Sequence, residues 1–508
     1  MENYDSAQVG KLLQDMIGLR NRICDEGNEL FGRWEPLIRN KGFIESAKNL
    51  AYYLSLRSHD IRGIQENLIH LGLSSLGRLE SRTLWNLDAV IFLLSNMVGG
   101  NAPRPKIESP DCSSFFYGKR ILDQNSERIF GPPSKKRHSA IMVTLPSEAA
   151  EDQRLVSRLI SHGMNVARIN CAHDDEEAWS RMIDHVRAAE KKLGLSCRVL
   201  LDIAGPKARI KTLTTSLGNP VVHVGDSFLF TGSPAVRDFH GMEIVCEVNL
   251  PEIVPMLRTG DPVLVDDGTI ECTVSEIVED GVVLRVDKVS KEKGIRLKAK
   301  KGLNFPKSSA DICILSDSDR KDLDFACQRA DIIGFSFIRS GEDIHLIQEE
   351  LQKRMGGEKA SKIPIMAKIE TIQGVDNLSE IIVAAASRNP VCVMIARGDL
   401  AVETGYLRLA ELQEEILWIC EAAHVPVIWA TQVLDSMVKT GIPTRAEITD
   451  AAMGGRAECV MLNKGAFLLE TLSALDDILV KMQAHQYKKT PKLRALGLAK
   501  KGLKEGTV

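Results

Sequence analysis

Eight short apolar runs, each followed by a stretch with helical spacing, constrain this chain more than any other feature. They are IMVTL (141–145), NVARIN (165–170), RVLLDI (198–203), DIIGFSF (331–337), PIMAKIE (364–370), VCVMIA (391–396), PVIWA (426–430) and CVMLN (459–463). Runs that are apolar on both faces belong to fully buried strands, and helices between them make those strands parallel. Eight such units predict an α/β chain closed as a (β/α)8 barrel. Residues 137–209 and 300–487 supply roughly 260 residues, the usual size of that fold. An open doubly wound sheet is the alternative, but no GxGxxG follows the first run.

The third and fourth runs are separated by residues 210–299, which have another texture. Segments such as VVHVGDSFLF, DPVLVDDGTIECTV and GVVLRVDKV, punctuated by Gly-Asp and Asp-Gly turns, predict an all-β insertion. Placed after a barrel strand it lies over the barrel mouth, as a lid would. Residues 1–100 read as helices, with a hairpin on either side of a Gly-Leu-Ser-Ser turn. Residues 101–136 collect proline, serine and basic residues and read as a linker, and 488–508 as a tail.

The bulk numbers narrow the function. At 508 residues, 44% hydrophobic and 26% charged, the chain has the composition of a globular protein, and its net charge of −3 gives no electrostatic case for a nucleic acid or an anionic membrane. Its 11 cysteines are scattered without CxxC or zinc spacing, which predicts reduced thiols. No run has the length to span a bilayer, and the acidic start MENYDSAQVGKLLQD lacks a signal-peptide core. A cytoplasmic protein is expected, with a plastid stroma as the alternative.

Barrel enzymes gather their chemistry at the C-terminal ends of the strands. The polar residues there are Arg168 and Asn170, Asp202 with Arg209 beyond it, Ser336 with Arg339 beyond it, Lys368 and Glu370, Arg397 and Asp399, and Thr431. Lys368 and Glu370 are two positions apart and so share a strand face. Two carboxylates, Glu370 and Asp399, on adjacent strands suit Mg²⁺, and arginine and lysine beside them suit a phosphorylated anion. In ARGDL, backbone N–H groups before a helix can face a carboxylate.

NVARINCAHD, LLDIAGPKAR, VLVDDGTI, LSDSDRKDLDFA, ADIIGFSFIR, AKIETIQGVDNLSEI, MIARGDLAVE, PVIWATQVLDSM and PTRAEITD, in this order over residues 140–465, resemble the pyruvate kinase family. The resemblance implies transfer of a phosphoryl group from phosphoenolpyruvate to ADP, giving pyruvate and ATP. It implies Glu370 and Asp399 as ligands of Mg²⁺, with Mn²⁺ as a substitute, and Lys368 as the group that neutralises the phosphoryl in flight. Arg168 would bind the phosphate, and Ala396, Gly398 and Asp399 the carboxylate through their backbone. Ser336 would be a further substrate residue. Thr431 would lie near the carbon that takes the proton, and Asn170, His173 and Arg209 would face the nucleotide. PTRAE around Arg445 resembles the segment near the family's barrel-to-barrel contact, which implies a homodimer.

Departures from the family pattern carry expectations too. Where K⁺-requiring members read NFSHG and LDTKGPE, this chain has Ala172, Ile203 and Lys207. Two oxygens are lost and an ammonium stands in for the monovalent cation, so K⁺ is not required. MLNKGAFLLE replaces the usual MLSGETAKGDYP, altering the loop at Asn463, Lys464 and Gly465 on the nucleotide side. The family's C-terminal α/β domain has no counterpart after residue 465, which implies no sugar-phosphate control. Two other readings stand beside this one: a Mg²⁺-dependent lyase or mutase of phosphoenolpyruvate or pyruvate enolates, and a non-catalytic subunit that keeps the barrel.

Overall fold

The computed structural model describes residues 6–98, 114–233, 241–307 and 312–494. Each apolar run is a strand: β1 (Ala140–Thr144), β2 (Val166–Asn170), β3 (Arg198–Ile203), β4 (Ile332–Phe335), β5 (Ile365–Ile369), β6 (Val391–Ala396), β7 (Val427–Ala430) and β8 (Cys459–Leu462). They pair in chain order, all parallel, and β8 returns to β1 through Ala140 opposite Cys459, closing the barrel.

Both faces of the strands are dry, which is why the runs do not alternate. Met142, Val166, Leu200, Ile332, Met366, Met394 and Ile428 fill the barrel interior, while their neighbours, such as Ile141, Val143, Leu201 and Val393, pack against the surrounding helices. The period of two then extends each inward row one step up the strand. Thr144, Arg168, Asp202 and Lys368 follow Met142, Val166, Leu200 and Met366, so the apolar filling is capped by a polar layer at the mouth.

The insertion between β3 and β4 is a seven-stranded sheet in the spatial order Leu303–Asn304, Pro262–Val265, Ile270–Val278, Gly281–Val289, Ser227–Thr231, Ile244–Val248, Ile210–Thr215. Asp266 and Asp267 both have positive φ ahead of Gly268, as a tight hairpin turn demands. The sheet reaches Asn304, beyond the expected limit of 299, because the returning chain pairs with Pro262–Val265. Its two connections to the barrel run side by side, with Ile210 N donating to Lys301 O and Leu303 N to Ala208 O.

Helices α1 (Ser6–Trp34), α2 (Ile44–Arg57), α3 (Arg62–His70) and α4 (Thr83–Val98) precede the barrel. The long α1 runs beside both α2 and α4, so the group is a small bundle rather than the expected hairpin. It docks under the barrel, where Asn49 donates to Ala422 O, and Ser46 and Ser81 O hold the two ring nitrogens of His424.

Two further sequence expectations are corrected. Within the expected linker, Tyr117–Phe130 is helix α5, and its last residues Ile129 and Phe130 plug the N-terminal end of the barrel interior. Residues 101–113 of that linker lie outside the described residues. The expected tail begins inside a hairpin that pairs Gln486–Tyr487 with Thr490–Pro491, its buried Lys488 at φ 52°. Residues 495–508 lie outside the described residues. The cysteines of the described residues are free thiols, and no helix among those residues is long and apolar enough to cross a membrane.

Candidate active site

The polar layer at the mouth is organised around one carboxylate. Asp202 Oδ2 accepts from Arg168 Nε at 2.9 Å and Nη2 at 2.6 Å and lies 3.5 Å from Lys368 Nζ. Arg168 Nη1 donates to Thr144 Oγ1 at 2.8 Å. Lys368 Nζ donates to Ser336 Oγ at 2.6 Å and stands 3.4 Å from Glu370 Oε1, while the Ser336 hydroxyl donates to Ile203 O. All of these side chains are buried. Gly334 makes this packing possible: a Cβ there would stand 2.4 Å from the Met366 methyl and 3.1 Å from Asp202 Oδ1.

Burial alone would strip these groups of charge, and the pairing decides otherwise. Burial opposes ionisation of Asp202, but the Lys368 and Arg168 cations outweigh it and hold the carboxyl below its usual range. Burial likewise works against the Lys368 ammonium, yet Asp202 and Glu370 push its pKa up. Glu370 is the exception. Burial raises its pKa, the nearby Asp399 adds to the rise, and Lys368 and the Phe337 N–H compensate only in part.

A divalent cation beside Glu370 would relieve that cost. Glu370 is held by Phe337 N at 2.7 Å, and Asp399 enters from the first turn of the helix Arg397–Thr404 after β6. Among the described residues no cage of three or more His, Cys, Asp or Glu is present, and Glu370 with Asp399 would offer two hard carboxylates that leave positions for water and substrate oxygens. These residues fit Mg²⁺. One oxygen of Asp399 is already engaged, since Lys207 Nζ donates to its Oδ1 at 2.7 Å. Three basic side chains, Arg168, Lys207 and Lys368, thus face three carboxyls, Asp202, Glu370 and Asp399.

Thr431 follows β7 at φ 65°, a left-handed conformation that a β-branched residue adopts only under constraint. The constraint is visible. Arg397 donates to Ala430 O at 2.9 Å and Thr431 O at 2.7 Å and is itself paired with Asp450, while Thr431 Oγ1 accepts from Gly398 N at 2.8 Å. The Gly398 N–H expected to face a substrate carboxylate is therefore engaged by Thr431, whose hydroxyl proton remains to donate. Ala396 ends β6 directly before that helix.

The structure brings Arg168, Ser336, Lys368 and Glu370 into one buried cluster, and Lys207, Asp399, Gly398 and Thr431 into a second group beside it. Asn170, His173 and Arg209 stand outside both. Asn170 Oδ1 accepts from Ala172 N, His173 is exposed, and the exposed Arg209 donates to Lys300 O at the root of the insertion. Partial desolvation, then the Lys464 ammonium, with Arg209 and Arg168, push the His173 pKa down, so the altered loop after β8 adds positive charge on this side. Sequence reading placed Asp202 among the polar strand ends without a role and missed the Arg397–Asp450 clamp. The inward period of two from Leu200 was the available signal for Asp202; Asp450 sits in a helix with no such pattern.

Comparison with known proteins agrees with this geometry. Residues 136–468 match the family model described as pyruvate kinase, barrel domain. The chain is 34% identical over 363 residues to pyruvate kinase 1 of Trypanosoma brucei brucei, covering 70% of this chain and 69% of that protein. It is 31% identical over 351 residues to the pyruvate kinase of Clostridium perfringens, covering 68% and 70% respectively. Among solved structures, a pyruvate kinase from Cryptosporidium parvum superposes with a TM-score of 0.61 at 27% identity, covering 70% of this chain and 72% of that one.

Proposed function

The chain belongs to the pyruvate kinase family of phosphotransferases, and on that premise we propose that its barrel mouth moves a phosphoryl group from phosphoenolpyruvate to ADP with Mg²⁺ and without K⁺. The observation that carries this reading is the Arg168–Asp202–Lys368 arrangement, in which one buried carboxylate fixes two cations side by side. A lyase acting on an enolate has no use for two cations fixed so as to receive a phosphoryl group.

In this reading Arg168 and Lys368 bind the phosphoryl oxygens and stay in place as the group moves, so that little reorganisation is needed at the transition state. The bond from phosphorus to the enol oxygen breaks with its electron pair left on oxygen, and a new bond forms to an oxygen of the ADP β-phosphate. The enolate then collapses to the ketone as its methylene carbon takes a proton, on the side where Thr431 offers its hydroxyl. Glu370 and Asp399 would hold the divalent ion, Mg²⁺ or Mn²⁺, which supplies charge neutralisation for substrate oxygens. Its two charges, added to those of Arg168, Lys207 and Lys368, would leave a mouth lined by Asp202, Glu370 and Asp399 net positive, as an anionic substrate needs.

Lys207 supports independence from K⁺, because its ammonium occupies the side of Asp399 where a monovalent cation's charge would act. His173, Arg209 and Lys464 support a phosphate-facing nucleotide side. The exposed Tyr406, Leu407 and Ile442, close to the PTRAE segment, support a barrel-to-barrel dimer. The deciding experiment follows pyruvate release from phosphoenolpyruvate with Mg²⁺, with and without ADP. ADP-dependent pyruvate and ATP are expected; pyruvate release that ignores ADP would overturn the reading.

A further inference from the structure

A second cavity, of about 400 Å³, lies far from the mouth, between α4, the start of α5 and the C-terminal hairpin. Its size is that of small-molecule sites. Apart from Glu421, the residues that line it fall outside 136–468, so it is built from parts of the chain that the barrel family does not account for.

Its walls are of two kinds. Trp85, Phe115, Phe116 and Tyr487 supply aromatic surface, and Phe116 remains 55% exposed at the rim. Arg78, Arg82, Lys119, Lys488 and Lys489 supply positive charge. Three of those cations are spent, since Lys119 pairs with Asp123, Lys488 with Glu458 and Lys489 with Glu80. Arg78 and Arg82 form no ion pair with a described residue.

Arg82 is the more telling of the two. Its guanidinium lies 3.8 Å from the centre of the Phe115 ring, and its Nε is shielded from solvent without a hydrogen-bond partner. Burial lowers its pKa, and the nearest opposing charges, Glu421 and Glu80, act from beyond ion-pair distance. Glu421 offers limited compensation: burial, with Glu80 and Glu458 beside it, pushes its pKa up against the opposing pull of Lys488. A half-buried cation stacked on a ring, in a cavity walled by further rings, has the recognition chemistry for a planar anion.

We propose that this cavity is a binding site for a small organic anion carrying an aromatic ring, its acid group on Arg82 and Arg78 and its ring against Trp85 and Phe116. An aromatic carboxylate and a nucleoside monophosphate share that chemistry.

The test is calorimetric titration of the full chain with indole-3-acetate and, separately, with uridine 5′-monophosphate, in the absence of phosphoenolpyruvate. One-to-one binding of at least one probe, with a dissociation constant below about 1 mM, is expected, and which probe binds identifies the acid group. Arg82→Met should weaken that binding about tenfold or more, the loss of one charge-assisted contact. Because Arg82 is half-buried and its replacement can disturb the bundle, Arg78→Met is measured alongside and should weaken binding with an unchanged circular dichroism spectrum. Failure of both probes to bind, or binding that neither substitution alters, would overturn the proposal. Either outcome leaves the catalytic reading untouched, since no step at the mouth is measured.

Discussion

Lys207 Nζ donates to Asp399 Oδ1 at 2.7 Å, so the segment that leads from the barrel into the insertion carries an ammonium directly against a carboxylate at the mouth. The Phe337 ring, centred 6.0 Å from the same nitrogen, flanks it. If this fixed charge does the work of a monovalent cation, the unmodified chain should show less than about a twofold response to K⁺ when ionic strength is held constant with tetramethylammonium. Lys207→Glu should lose about tenfold or more in kcat/KM without K⁺ and recover part of it with K⁺, the scale of one charge-assisted contact. A parent chain already stimulated strongly by K⁺ would contradict the role assigned to Lys207.

Lys368→Met tests the central pair. The side chain lies two residues above Met366 on the inner face, so a methionine continues the apolar filling and the barrel should fold. Loss of a fixed donor aimed at developing charge typically costs about 10²- to 10³-fold in kcat. Stopped turnover with an intact far-ultraviolet spectrum is the expected result; a kcat within a few fold of the parent would remove Lys368 from the mechanism.

Thr431 couples strain to position. Relieving a left-handed β-branched residue recovers on the order of 1 kcal/mol or more. Thr431→Gly should therefore raise the melting temperature while lowering kcat, because the acceptor for Gly398 N and the hydroxyl above the mouth vanish together. A variant that gains stability and keeps full turnover would show that the conformation serves packing alone.

His424 makes the docking of the helical bundle sensitive to acid. It is buried, its Nε2 bonded to Ser81 O and its Nδ1 to Ser46 Oγ, and burial pulls its pKa down from 6.5 to about 4. Below pH 6.5 the unfolded chain takes up a proton that the folded ring refuses. Stability present above pH 6.5 is thus lost progressively as pH falls toward 4, by on the order of 3 kcal/mol in all. Urea unfolding at pH 7.5 and pH 5 should show about 2 kcal/mol of that loss, and His424→Gln should flatten the difference even if it lowers stability at both. An equal pH dependence in the variant would mean that other groups set it.

The barrel was legible because its signal is local: each strand's run is apolar on both faces, and each loop breaks it. So were Lys368 and Glu370, whose spacing of two is visible in six letters of sequence. The hub at Asp202 was less so, because its importance comes from Arg168 and Lys368 reaching it from β2 and β5, and pairings between distant strands leave no mark on either run alone. Helix α5 was hidden for a different reason. In YGKRILDQNSERIF the buried positions are Gly118, Leu122, Ile129 and Phe130, a thin stripe inside a polar segment that follows prolines and serines. Its helicity is fixed by the barrel floor it covers, which the segment itself does not display.

That floor has a consequence for synthesis. Ile129 and Phe130 leave the ribosome before any barrel strand exists, and their binding site is finished only when Cys459–Leu462 has been translated. At ordinary elongation rates the pair waits on the order of tens of seconds with its apolar surface uncovered. A nascent chain of this design should depend on chaperones until the last strand emerges, and genetic truncations just short of β8 should aggregate rather than accumulate as a smaller enzyme.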